Sequence, residues 1–114
     1  MITAEKLVQE FNASIKETHP HIWNLLRHCY VKALNPVWVR HYVADFHYLG
    51  IYCPSAIFAD VLAEKELMRE VAKSLGLTEV ICINATSLLH DPLSILKQVH
   101  PQLWLELVWI VTQE

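Results

Sequence analysis

Glycine is nearly missing from this chain: only Gly50 and Gly76 occur in 114 residues. A loop that cradles phosphate needs several glycines so that backbone amides can close on the anion. Both G-x-G-x-x-G and G-x-x-x-x-G-K-[ST] loops are therefore excluded. Charge is also scarce, at 18% of residues, and the balance is −3 with a pI near 6.1. No basic stripe runs through the sequence, which argues against generic nucleic-acid binding. The three cysteines, Cys29, Cys53 and Cys82, are an odd number without paired spacing and do not read as a disulfide framework. No apolar run approaches the roughly 18–20 residues of a membrane span. The longest, over residues 103–111, is interrupted by Glu106. The opening Met1-Ile2-Thr3-Ala4-Glu5-Lys6 has neither the basic nor the apolar region of a signal peptide. These absences predict a cytoplasmic protein with free thiols and no membrane span.

What the chain has in excess is apolar side chains. Hydrophobic residues make up 54% and the mean hydropathy is +0.25. An average domain is about 45–50% apolar and about 25% charged, and a small one has proportionally more surface to keep polar. Disorder is excluded. The surplus predicts an apolar surface patch that belongs against another protein.

The length predicts one domain over residues 1–114. Five prolines punctuate it. Residues 3–17 carry Leu7, Phe11 and Ile15 at helical spacing behind Thr3 as an N-cap. Residues 20–34 read as a second helix opened by Pro20, and the two make a helical hairpin over residues 1–35. Residues 37–49 are rich in β-branched and aromatic side chains and predict a strand, although Val39, Val43 and Phe46 also fit a helical period. Gly50 ends that run. Residues 56–75 predict a long helix closed by Gly76, and residues 78–84 an interior strand. Residues 85–90 read as a loop, Asp91-Pro92 as the start of a two-turn helix, and residues 104–111 as a last strand. Over residues 37–114 the pattern is β-α-β-α-β. The expected class is α/β, with a small, mostly parallel three-stranded sheet.

Candidate chemistry gathers at the carboxyl edge of that sheet, where open α/β sheets bind ligands. Cys53, beside Pro54 at a helix start, and His90 form a conceivable nucleophile and base. Tyr52, Asn84, Thr86 and Ser87 would line the same edge as ligand-binding residues. His41, Asp45 and His47 share one face of the first expected strand and are the best metal candidates among the seven histidines. On a strand, however, they spread over about 7 and 13 Å, and no ligand motif supports them. Neither a cofactor nor a catalytic residue set is expected. His41-Tyr42-Val43-Ala44-Asp45-Phe46, Ala72-Lys73-Ser74-Leu75-Gly76-Leu77-Thr78 and Asp91-Pro92 resemble short stretches of bacterial S-adenosylmethionine decarboxylase. That family's central segment, with its self-processing serine and a Glu-Ser-His, has no counterpart in this chain. The resemblance therefore implies neither a pyruvoyl group nor an activity.

The leading expectation is a small interaction or assembly protein that pairs with itself or with another protein. Trp38, Trp104 and Trp109, on the first and last expected strands, are its interface candidates. The alternatives are an enzyme or small-ligand binder using Cys53 and His90, or a histidine-based metal-binding protein.

Overall fold

The computed structural model describes residues 4–34, 48–77 and 79–113. Thr3 as a cap lies outside them. Helix α1, Ala4–Thr18, follows the expected stripe: Leu7, Phe11 and Ile15 are all buried, as one turn-spaced apolar face requires. Helix α2, Pro20–Leu26, opens on a proline at its first turn, where the missing amide hydrogen has no helical partner to lose. It buries Ile22 and Leu26 and packs on α1.

The second arm of the hairpin is shorter than expected. After a turn through Arg27, His28 and Cys29 the chain becomes strand β1, Tyr30–Leu34. A helix over residues 20–34 is thus corrected to a helix and a strand. The sheet offers Tyr30 and Val31 a ladder, and tertiary pairing outweighs their modest helical propensity.

Strand β2, Tyr48–Cys53, pairs with β1 antiparallel, from Tyr30 opposite Tyr52 to Leu34 opposite Tyr48. Strand β3, Glu79–Asn84, pairs with β2 in parallel, from Tyr48 opposite Glu79 to Cys53 opposite Asn84. The order is β1-β2-β3. The class is mixed helix and strand, as expected, but the sheet is mixed rather than mostly parallel. Most of the strand expected over residues 37–49 lies outside the described residues. Gly50 does not end a strand; it sits inside β2, opposite Lys32 and Ile81.

Helices α3, Ser55–Ala63, and α4, Lys65–Ser74, connect β2 to β3. They divide the one long helix expected there at Glu64, whose amide donates to the Val61 carbonyl at 3.0 Å in a tightened turn. The end of α4 is a Schellman motif. The Gly76 amide donates to Lys73 at 3.1 Å and the Leu77 amide to Ala72 at 3.0 Å. Gly76 adopts φ +88, which a glycine reaches without steric cost. A strand-helix-strand connection with parallel strands is present, but its first strand is Tyr48–Cys53 rather than residues 37–49, and two helices stand in place of one.

The C-terminal part differs most. Helix α5, Ala85–His90, replaces the expected loop, and the following two-turn helix shrinks to α6, Leu96–Val99. Asp91 accepts from the Leu93 amide at 2.9 Å and holds a turn between them. Residues 104–111, expected as a strand, belong to helix α7, Pro101–Thr112. Pro101 starts this helix instead of only ending the previous one. Its period was hidden because apolar residues occupy its outer face as well as its inner one.

Two clusters sit on opposite faces of the sheet. Alternation along β2 sends Leu49, Ile51 and Cys53 to one face and Tyr52 to the other. The first face, with Val80, packs on Phe11, Ile15, Ile22, Leu26, Val61 and Met68 from α1 to α4. The second buries Tyr52 with Ala85, Leu103 and Leu107 of α5 and α7.

Candidate functional site

The parallel register places Cys53 directly opposite Asn84. The ends of β2 and β3 therefore bring Tyr52, Cys53, Asn84, Thr86 and Ser87 to one edge of the sheet, the first two on β2 and the last two on α5 rather than in loops. Several of these side chains are engaged in holding the fold. Asn84 caps α5, its Oδ1 accepting from the Ser87 amide at 3.0 Å. The Thr86 hydroxyl accepts from the Ser55 amide at 3.0 Å, which satisfies one of the orphan donors at the start of α3. Tyr52 is buried against α5 and α7, and its ring lies against Tyr30.

Cys53 is fully buried at the end of β2, and α3 begins two residues later. Its thiol donates to the Ile51 carbonyl at 3.5 Å. Contact with the Cys29 thiol, then burial, then the nearby Cys29 and Cys82 thiols push its pKa up. A helix terminus that lowered it would have favoured the thiolate; here the neutral thiol is favoured. Burial also raises Cys82, with Lys65 opposing and Cys29 adding to the rise. His90 is the last residue of α5 and is exposed, so the proposed base stands in solvent while the proposed nucleophile is enclosed.

His41, Asp45, His47 and Trp38 lie outside the described residues. Among the described residues, no three His, Cys, Asp or Glu side chains are placed to hold a metal ion, and no helix is long and apolar enough to cross a membrane. Trp104 is half-buried, with the Lys97 ammonium 4.8 Å from its ring centroid, a cation–π distance.

Trp109 is different: it is 63% exposed, and Leu105, one turn earlier, is 55% exposed. Of the eight large apolar side chains exposed among the described residues, five fall between Leu93 and Trp109. Trp109 also forms one wall of a groove of about 340 Å³, closed by Ile110, Gln113, Arg27, His28, Pro54 and Ile57. A helical reading of residues 101–112 would have found this surface: Leu103 and Leu107 fall on one side, Leu105 and Trp109 on the other. The groove residues Arg27 and His28 carried no sequence signal, because they sit in a turn that was read as mid-helix.

No family model, curated protein or solved structure gives a significant match to this chain.

Proposed function

We propose that this chain is a self-associating interaction protein whose contact surface is the outward face of α7. The observation that carries this reading is the composition of that face. Every exposed position of α7 (Pro101, Gln102, Leu105, Trp109 and Thr112) is uncharged, and two are large and apolar. A two-fold interface sets a surface against itself, so any charge near the axis meets its own copy. An uncharged apolar helix face avoids that repulsion. Antiparallel packing of two such helices would set Leu105 of one copy against Trp109 of the other. Tryptophan is the residue type most enriched in the energetic centres of interfaces. The groove beside Trp109 would extend the contact towards Arg27 and His28.

Size-exclusion chromatography with light scattering, across a concentration series into the high micromolar range, tests the proposal. The expected result is a dimer in the parent chain and a folded monomer in both Leu105→Asp and Trp109→Asp. A parent chain that stays monomeric throughout, or a dimer that survives both substitutions, overturns it.

A further inference from the structure

The chain folds Cys29 towards Cys53. The β1–β2 ladder begins with Tyr30 opposite Tyr52; continuing that antiparallel register one step past its end would set Cys29 opposite Cys53, and the two thiols are in contact. Directly opposed residues have Cα atoms about 4.5–5.5 Å apart, inside the roughly 4.4–6.8 Å that a disulfide spans. Both side chains pack in the same cluster on the same face of the sheet. Cys82 shares that cluster, but its register partner is Ile51. It is a diagonal neighbour of Cys53, one strand across and two residues along, at a Cα spacing of roughly 8 Å, beyond easy bridging.

We propose that Cys29 and Cys53 are a reversible modification site, joined as an intramolecular disulfide by exchange with a low-molecular-weight disulfide. Cys29 is only half-buried and reacts first. Its thiolate attacks one sulfur of the small disulfide, forming a mixed disulfide and releasing one small thiolate. The Cys53 thiolate then attacks the Cys29 sulfur, and the second small thiolate leaves. Two protein thiols are oxidised and one small disulfide is reduced to two thiols, which take up the two protons. The second step is the slow one, because Cys53 is enclosed and held protonated by its surroundings. The link lies beneath the groove described above: His28 and Pro54, next in sequence to the two cysteines, both line it. Oxidation would tie together the two segments that form that wall.

The test is peptide mapping by mass spectrometry after the full-length chain is incubated with oxidised glutathione and its remaining thiols are alkylated. The expected product is one intramolecular link between the Cys29 and Cys53 peptides, with Cys82 alkylated on unfolding. The link persists in Cys82→Ser and is lost in Cys29→Ser. A link that includes Cys82, a product that stops at glutathionylated Cys29, or bridges only between chains overturns the proposal. The map of the parent chain decides even if a serine variant folds poorly.

Discussion

Tyr30 and Tyr52 face each other across β1 and β2, with ring centroids 6.1 Å apart and ring planes tilted by 47°. With Ile83 of β3 they pack the sheet against the C-terminal helices: Tyr52 is buried there and Tyr30 packs beside it. Both phenols are held above the ordinary tyrosine range. Burial raises Tyr30 first and the Glu106 carboxylate adds to it; burial raises Tyr52 first and Tyr30 adds to it.

An alkaline titration should show this pair directly. A raised acid pKa means that the folded chain keeps protons which the unfolded chain releases. The associated stability is intact below the unfolded tyrosine pKa of about 10 and is lost as pH climbs towards the folded values. Tyrosinate absorbance should show these two phenols ionising later than a model tyrosine. Glu106→Gln should bring Tyr30 down and leave Tyr52 nearly in place. If both phenols of the native chain ionise at about 10, the enclosed pair does not exist.

Helix α7 should give opposite results two residues apart. Leu107 is fully buried and Leu105 is 55% exposed. Leu107→Ala should cost about 2–5 kcal/mol, for lost burial and the cavity left behind. Leu105→Ala should stay within about 0.5 kcal/mol in the monomer. Denaturant unfolding at low protein concentration measures both, and equal losses would refute the orientation of the helix.

Asn84 separates a capping role from a ligand-binding one. Asn84→Ala should destabilise the chain by about 1 kcal/mol, the usual cost of removing a cap, while Asn84→Asp, which keeps an acceptor, should cost less. A thermal or denaturant midpoint unchanged by Asn84→Ala would free this side chain for a role at the sheet edge.

The elements legible in the sequence are those with one apolar face and marked ends. In α1 the stripe is flanked by Lys6, Gln9 and Lys16; in α4 it runs into Gly76. The strand-helix-strand unit followed from the β-branched run at residues 78–84 after a helix. Elsewhere the pattern was degenerate. The turn at Arg27, His28 and Cys29 holds no glycine or proline, so β1 was read as more of α2. In α7 the apolar residues surround the helix, leaving Glu106 as the single polar landmark in residues 103–111. A continuous apolar run cannot be assigned to helix or strand by period alone. At the candidate site, the shared edge of β2 and β3 was legible because parallel strands end together. That Asn84 and Thr86 hold helix starts was not, because capping and ligand binding use the same side chains. Part of the exposed apolar surface, Leu105 and Trp109, falls within the apolar run of residues 103–111, but its form as an outward helix face depends on tertiary packing.

Among the described residues, the two sides of the sheet are unequally filled: thirteen buried residues make up the cluster towards α1–α4, and four the cluster under α5 and α7. The helices on the thinner side have less burial to surrender when they lift from the sheet, and such regions open at a lower free energy than the rest of the fold. Lifting would uncover Tyr30 and Tyr52 while leaving Phe11, Ile51 and Met68 packed. The interaction surface proposed here thus rides on the layer with the smaller buried cluster among the described residues, and a partner seated on α7 would raise the cost of that opening.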